Sequence, residues 1–216
     1  MAYIIKKAAG KVDLSADWNS GIWQSANEVK LEVVMKPEEP HQPPTRLKML
    51  YDDNAIYGLY EVQDQYVKAV AQKDQEQVCM DSCVEFFVRP ANWKNYFNFE
   101  MNCGGTLLLY DVKDCRTGDF TPVVQEELDT VIRFHTLPKL ITEEITEPIT
   151  WRLGFEIPLK LFSAHGEITL PLTGQVWNAN FTKCADECSH PQWLSWMPLP
   201  KLDFHLPDCF GEIIFE

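Results

Sequence analysis

The strongest constraint on the fold is an alternation of polar and apolar residues in short segments separated by turn signals. Arg46–Tyr51 alternates in this way, Asp52-Asp53-Asn54 supplies a turn, and Ala55–Val62 resumes the alternation. Because side chains on a strand point alternately to opposite faces, these segments predict half-buried β-strands. Many short strands joined by turns favour an all-β, antiparallel β-sandwich of the immunoglobulin or jelly-roll type.

The same reasoning predicts further strands, and Pro158–Phe162 predicts one helical turn with proline at its first position. The further strand segments are Cys83–Val88, Tyr96–Asn102, Val123–Leu128, Val131–Leu137, Ile149–Ile157, Gln175–Lys183 and Gly211–Phe215. The chain has no internal repeat and no linker-like change in composition, so residues 1–216 are predicted to form a single domain. The proline-rich stretch 37–44 is interpreted as a surface loop.

Composition excludes several classes of function. Hydrophobic residues make up 45% of the 216 residues, enough to bury one substantial core. The formal net charge of −13 argues against nucleic acid and anionic membranes as partners, because phosphate binding needs clustered Lys and Arg. No run of roughly 18 apolar residues exists, so no membrane span is predicted.

The N-terminal segment and the cysteines bear on location. Residues 1–7 lack the long apolar region of a secretory signal, which predicts a cytoplasmic protein, or a secreted or periplasmic one if a leader has been removed. Seven cysteines, an odd number, favour free thiols in a reducing compartment. Cys184, Cys188 and His190 lack a matching second ligand pair, so free thiols are favoured over a metal site there.

The segments Cys83–Val88 and Tyr96–Asn102 predict a hairpin with a polar face. Their apolar residues share one face, which leaves a set of carboxylates and amides on the other. That set is Glu85, Asn98, Glu100 and Asn102. Carboxylates and amides suit hydrogen bonding to vicinal hydroxyls, so the face is a candidate sugar site. An ordinary solvated sheet face fits the same pattern and remains open.

The same hairpin keeps a hydrolase formally open as an alternative. Glu85 and Glu100 on paired strands approach to about 5 Å in a favourable register, close to the separation of about 5–5.5 Å used by retaining glycosidases. No serine nucleophile motif, phosphate loop or zinc-protease motif accompanies them. The sequence therefore predicts no enzyme, with a weak glycoside hydrolase using Glu85 and Glu100 as the alternative.

The closing stretch Leu194–Glu216 places an aromatic loop before a short alternating strand. The loop carries Trp196, Phe204 and His205, and the strand is Gly211–Phe215. Aromatic rings on a loop anchored by a strand are a common means of gripping a flat, polar ligand. This arrangement favours a carbohydrate-binding module.

At this point the chain resembles the family 9 carbohydrate-binding modules and the bacterial proteins described as family 9-like. Six short blocks occur in the family's order and span nearly the whole chain. The six blocks are Asp13 with Trp18, Trp23 and Ala26; Thr45–Tyr57 with Val62-Gln-Asp64; Asp81–Phe87 with Phe99–Asn102; Trp151–Pro158; Trp177–Phe181; and Ser195-Trp196 with Pro207–Gly211.

The resemblance implies a β-sandwich that binds sugars, with a preference for the reducing ends of plant polysaccharide chains. It also implies structural Ca²⁺ and a partner glycoside hydrolase in polysaccharide degradation. The family's two sandwiching tryptophans align near Val78 and at Phe204, so neither indole is present. The strand glutamate is kept as Glu85, Asn102 matches in type, and Glu100 replaces an arginine.

We therefore predict non-catalytic binding of an oligosaccharide or polysaccharide. The predicted site comprises Glu85, Asn98, Glu100 and Asn102 on one sheet face with Phe204 and Trp196 on the rim. A second wall is expected from Trp93, Trp193 or Trp196, with Trp93 exposed in its loop, whereas Trp23, Trp151 and Trp177 are interpreted as core. Asp52–Asn54 and Asp111–Asp119 offer oxygen ligands for Ca²⁺. A haem- or other cofactor-binding sandwich is the second alternative.

Overall fold

The computed structural model describes residues 2–216; Met1 lies outside the described residues. Most of these residues lie in strands or in the turns between them. The strands are β1 (Ala2–Lys7), β2 (Glu28–Lys30), β3 (Val33–Val34), β4 (Thr45–Tyr51), β5 (Ala55–Asp64), β6 (Val67–Ala69), β7 (Cys83–Arg89), β8 (Tyr96–Asn102), β9 (Leu107–Asp114), β10 (Asp119–Pro122), β11 (Ile132–His135), β12 (Ile141–Ile145), β13 (Ile149–Pro158), β14 (Val176–Cys184), β15 (Trp193–Ser195) and β16 (Gly211–Phe215).

Helices are few and short in the described part of the chain. The α-helices are α1 (Gln125–Leu128) and α2 (Leu159–His165), and the 3-10 helices are Gly21–Gln24, Val78–Met80 and Pro207–Cys209. None of these helices is long and apolar enough to cross a membrane.

The strands form one large curled sheet of mixed direction and a small sheet of β12 and β6. The large sheet runs β10-β9-β8-β7-β14-β16-β1-β4-β5-β13-β11, with β2, β3 and β15 off this path. The prediction of an all-β fold is confirmed, but the prediction that it is wholly antiparallel is wrong. β1 pairs in parallel with β16 through its first half and with β4 through Lys6 and Lys7. It therefore joins the two halves of the sheet.

The main core lies between these two halves. Phe86 of β7 stacks on Phe155 of β13 with ring centroids 5.8 Å apart, and Tyr60 of β5 donates a hydrogen bond to the main-chain oxygen of Glu85 at 2.7 Å. A side chain at Gly58 would put its Cβ 2.1 Å from the Phe155 ring, so this close approach requires glycine.

The tryptophans interpreted as core are confirmed. Trp23 and Trp151 have no exposed surface and Trp177 is 1% exposed.

A smaller apolar cluster covers the opposite side of β7, β8, β9 and β14, which we call the outer face. It is built from strand residues pointing away from the main core and from loop residues packed over them. Its buried members are Val78, Cys83, Phe87, Tyr96, Leu108, Val112, Cys184, Phe204 and Phe210. The outer face of the sheet is thus largely covered rather than open to solvent.

The local predictions succeed where alternation is long. The strands predicted at 46–51, 55–62, 83–88, 96–102, 149–157, 175–183 and 211–215 are present within two residues, and the one at 131–137 is present in shorter form.

Two local predictions need correction. The strand predicted at Val123–Leu128 is wrong, because Gln125, Glu126 and Glu127 favour helix and form most of α1. The predicted helical turn is longer than expected, and Pro158 caps α2 rather than starting it.

Candidate functional site

The polar residues of the predicted hairpin do converge on the outer face. Glu85 of β7 lies directly opposite Glu100 of β8 and, on its other side, opposite Thr182 of β14. Asn98 lies two residues before Glu100 on the same face, opposite Phe87. The predicted register is therefore confirmed. These side chains are nevertheless buried: Glu85 is 2% exposed, Asn98 1% and Glu100 6%.

Hydrogen bonds within the protein already occupy the Glu85 carboxyl group. Its Oε2 accepts a short hydrogen bond from the Thr182 hydroxyl, and its Oε1 accepts one from the Cys184 thiol at 3.2 Å. Glu85 therefore forms the base of the outer face rather than a surface available to a ligand.

The Glu100 carboxyl group accepts fewer hydrogen bonds from the protein than that of Glu85. Asn98 Nδ2 donates to Glu100 Oε1 at 2.7 Å, while Asn98 Oδ1 accepts from the main-chain N–H of Tyr110 at 3.0 Å. Asn98 is thereby fixed by the neighbouring strand and in turn orients Glu100. The pair can offer a carboxyl oxygen and an amide hydrogen to a polar ligand.

Burial changes the acidity of both glutamates. It raises the pKa of Glu85 to about 7, against the opposing hydrogen bonds from Thr182 and Cys184. Burial and the facing Glu85 carboxyl raise the pKa of Glu100 well above its usual range. The two carboxyls therefore hold protons at a pH where exposed glutamates are ionised. A neutral carboxylic acid both donates and accepts hydrogen bonds, as a sugar hydroxyl does.

Asn102, a predicted sugar contact, forms hydrogen bonds to loop residues of the protein instead. It has no exposed surface. Its Nδ2 donates to Asp81 Oδ2 at 2.9 Å and to the Ala71 oxygen at 3.1 Å, and its Oδ1 accepts from the N–H groups of Gly104 and Thr106. Asn102 thus organises the turn after β8 at the side of the outer face.

The two aromatic residues predicted on the rim are buried, so that placement is wrong. Trp196 is 4% exposed and belongs to the main core, 5.1 Å from the Phe181 ring. Phe204 is also 4% exposed; it lies on the outer face but is covered by Trp193, with ring centroids 4.4 Å apart. Both rings stabilise packing rather than present a free face.

Trp193 takes the half-buried position over the outer face. Its indole N–H donates a short hydrogen bond to Asp186, and the ammonium of Lys36 lies 5.5 Å from its ring. Trp93, predicted exposed, is half-buried: its indole N–H donates to the Glu167 oxygen at 2.8 Å. The position of the first family tryptophan, Val78, is fully buried.

A second aromatic pair was missed by the sequence reasoning. Tyr110 of β9 is half-buried and stacks on Phe120 of β10, which is 39% exposed, with centroids 4.9 Å apart. Tyr110 lies opposite Asn98 in the register. The short apolar run Leu107–Tyr110, which is consistent with a buried strand, was the available signal. The polar pair on β8 thus lies between Tyr110 on the β9 side and Trp193 on the β14 side.

The segments that offer oxygen ligands for Ca²⁺ have several of their carboxylates bonded within the protein. Asp52 accepts hydrogen bonds from two main-chain N–H groups and the Tyr57 hydroxyl, as in a turn, and Asp53 pairs with Lys7 at 2.6 Å. In the second segment, Asp111 is bonded to Asn95 and His165. The binding of Ca²⁺ stays a prediction.

All seven cysteines are free thiols, as predicted. Cys184 and Cys188 do not share a site with His190: the Cys188 thiol contacts the Ser82 hydroxyl at 3.7 Å, and His190 stacks on Tyr66. Cys184 instead belongs to the outer face.

Comparison with known proteins agrees with this fold. The model of carbohydrate-binding family 9 matches residues 22–215. A crystal structure from Bacteroides uniformis, described as a candidate carbohydrate-binding protein, is 31% identical, with a TM-score of 0.87 over 100% of this chain and 99% of that one. A search of curated proteins gave no match.

Two further structures, family 9 modules from Caldicellulosiruptor kristjanssonii, are each 15% identical and cover 100% of this chain. One holds glucose (TM-score 0.65, 96% of that chain) and the other cellotriose (TM-score 0.67, 94% of that chain). At this identity they support the fold alone.

The family match defines the class of this protein as a non-catalytic carbohydrate-binding module. The chain belongs to carbohydrate-binding family 9.

Proposed function

We propose that the outer face binds one end of a glucose-containing oligosaccharide, with Glu100 and Asn98 contacting its hydroxyls. The observation that supports this most is the buried, oriented Asn98–Glu100 pair placed between two aromatic pairs, Trp193–Phe204 and Tyr110–Phe120. Polar groups at the base and aromatic rings at the sides are what sugar recognition needs.

Glu85 has a supporting role in this proposal. Its carboxyl is held by Thr182 and Cys184 and lies opposite Glu100. Burial is the main cause of the raised pKa of Glu100, and the nearby Glu85 carboxyl raises it further. Glu100 consequently meets a sugar as a neutral acid that donates one hydrogen bond and accepts others.

The size of the polar surface favours a chain end as ligand. Asn98 and Glu100 are two residues apart on one strand, so their Cα atoms are separated by about 6.6 Å. That distance serves one sugar unit rather than a row of them. The cellotriose and glucose complexes of the Caldicellulosiruptor kristjanssonii modules suggest glucose as the unit to test first.

Calorimetric titration with cellotriose, glucose and xylotriose tests the proposal. We expect binding of cellotriose by the unaltered chain and a loss of about fivefold or more in Trp193→Ala and in Tyr110→Ala, since a stacking ring is worth roughly 1 kcal/mol or more. Glu100→Gln should weaken binding without changing the fold.

Trp93→Ala is the matched control, because Trp93 is also half-buried but belongs to the loop between β7 and β8. It should bind as the unaltered chain does. Equal losses in Trp93→Ala and Trp193→Ala, or full binding in both Trp193→Ala and Tyr110→Ala, would place the sugar elsewhere.

The wider role follows from the ligand. We infer that residues 1–216 act as one β-sandwich module that assists a glycoside hydrolase in degrading polysaccharide. Seven free thiols support a reducing compartment, where imported oligosaccharides are the available ligands. Pull-down of glycoside hydrolases from the source cells with the module as bait would test the partnership, and recovery of none would contradict it.

A further inference from the structure

Three buried side chains at the base of the outer face bring metal-binding atoms together. The Sγ atoms of Cys83 and Cys184 and a carboxylate oxygen of Glu85 all lie within 4.8 Å of one another. Cys83 has no exposed surface, Cys184 is 1% exposed and Glu85 is 2% exposed. Among residues 2–216, this is the one group of three or more such side chains at that spacing.

The three positions are set by the sheet rather than by loops. Cys83 of β7 lies directly opposite Cys184 of β14, and Glu85 lies two residues further along β7 on the same face. Both strands are internal to the large sheet. Ligands on paired internal strands are held in place before an ion binds, which favours a defined site.

We propose that Cys83, Cys184 and Glu85 bind one thiophilic divalent cation of the Zn²⁺ class. Thiolate sulfur and carboxylate oxygen are both zinc ligands, and two thiolates favour zinc over hard cations such as Mg²⁺ and Ca²⁺. Zn–S bonds of about 2.3 Å and Zn–O bonds of about 2.0 Å place ligand atoms roughly 3.5–3.8 Å apart in a tetrahedron. The Cys184 Sγ and Glu85 Oε1 are 3.2 Å apart, so small side-chain shifts suffice.

Binding releases protons and leaves one net charge at the site. As the metal–ligand bonds form, the two thiols and the protonated Glu85 carboxyl release their protons to solvent. Two thiolates and one carboxylate then leave the site with one net negative charge around the dication. The Lys183 ammonium donates to the Cys184 main-chain oxygen at 3.1 Å from the other face of β14, where it pairs with Asp64, so it acts on this charge only through the sheet.

The fourth coordination position lies beside Cys79. The Cys79 main-chain oxygen is 3.5 Å from the Cys184 Sγ, and the Cys79 residue is partly exposed. A water molecule entering from this side would complete the tetrahedron.

The unaltered chain provides the first test. Reduced, chelator-treated protein is titrated with Zn²⁺ alone, and the bound ion is examined by X-ray absorption at the zinc edge. We expect one ion per chain, with two sulfur neighbours at about 2.3 Å and lighter atoms completing the shell. No binding, or a shell with fewer than two sulfur atoms, would overturn the proposal.

Serine variants locate the site by Co²⁺ titration, followed through thiolate-to-cobalt absorption. Cys83→Ser and Cys184→Ser should weaken binding by more than the roughly 10–100-fold caused by loss of an outer-shell partner. Cys103→Ser is the matched control, since Cys103 is also fully buried but its thiol donates to the main-chain oxygen of Lys68, away from the proposed site. Absorption that persists in the Cys83→Ser, Cys184→Ser double variant contradicts the site.

This site is separable from sugar binding. The variant Trp193→Ala should lose cellotriose binding and keep Zn²⁺ binding. If the serine variants fail to fold, the absorption spectrum of the unaltered chain still decides the question.

Discussion

Two buried acidic clusters lie on opposite faces of β14, and burial affects them in opposite ways. Lys183 points into the main core and meets Asp64, whereas Thr182 and Cys184 point to the outer face and meet Glu85. The pKa of Asp64 is lowered to about 2, and that of Glu85 is raised to about 7. The partner, rather than the depth of burial, decides the sign of the shift.

Asp64 is surrounded by donors and a cation. Burial alone would raise its pKa, but the Lys183 ammonium at 3.6 Å, His41 at 2.8 Å and the Trp151 indole at 3.0 Å outweigh that effect. Because Asp64 is 3% exposed and Lys183 has no exposed surface, this ion pair joins the two sheet halves inside the protein.

The glutamates of the outer face have no such cation bonded to either carboxyl among the described residues. Glu85 faces Glu100, and its hydrogen-bond donors are a hydroxyl and a thiol. Ionising either group places an uncompensated charge in a buried site. The Asp64 cluster therefore stabilises the fold when its carboxyl group is ionised. The Glu85 and Glu100 cluster stabilises the fold when its carboxyl groups are protonated.

The largest expected effect comes from removing the cation of the first cluster. Lys183→Met leaves Asp64 buried without its ammonium, and we expect the free energy of unfolding at pH 7 to fall by about 3–5 kcal/mol. Asp64→Asn in the same chain should recover part of that loss. Urea denaturation measures both.

Lys48→Met is the control, because Lys48 is also buried but donates to the main-chain oxygens of Trp18 and Trp23 rather than to a carboxylate. Its loss should be smaller, about 1–3 kcal/mol. If the two lysine variants lose the same stability, charge compensation at Asp64 is not the reason for the effect.

The next effect is a loss of stability as the pH rises. The folded pKa of Glu85, about 7, lies above its usual value, so its stabilisation is complete below pH ~4.5 and is lost as the pH rises through 7. We expect a decrease of about 3 kcal/mol between pH 5 and pH 8 in chelator-containing buffer. Glu85→Gln should flatten this part of the curve, and an unchanged slope in that variant would assign the dependence to other groups.

The smallest effect appears on the acid side. The folded pKa of Asp64 is about 2, below its usual value, so its contribution is present above pH ~4 and is lost as the pH falls towards 2. The expected loss is about 2 kcal/mol. Thermal unfolding of the unaltered chain and Asp64→Asn at pH 4, 3 and 2 should show curves that converge; parallel curves would rule out Asp64 as the source.

The sequence predicted the parts of the fold in which alternation runs long enough. The hairpin of β7 and β8 follows from seven-residue strands, and it placed Glu85, Asn98 and Glu100 on one face. Parallel pairing of β1 with β16 was not predictable in this way, because local periodicity carries no information about distant partners.

The aromatic positions show where the pattern was too short. Trp193 begins the three-residue strand β15 and Trp196 directly follows it, so the two rings lie on opposite faces. Leu194 and Trp196 accordingly belong to the main core, and Trp193 packs with the outer face. Three residues give too little alternation to assign a strand from sequence, so the sequence could not decide which of Trp193 and Trp196 faces outward.

The pairing of β1 with β16 has a consequence for how the protein is made. Ala2–Ile5 have their partners at Glu212–Phe215, so these contacts join positions more than 200 residues apart in sequence. Such distant contacts form late, since the entropy of closing the loop must be overcome first. During synthesis, Tyr3 and Ile5 lack their strand partners Ile213 and Phe215. The sheet can close only after Phe215 has emerged from the ribosome, because β16 lies between β14 and β1 in the strand order.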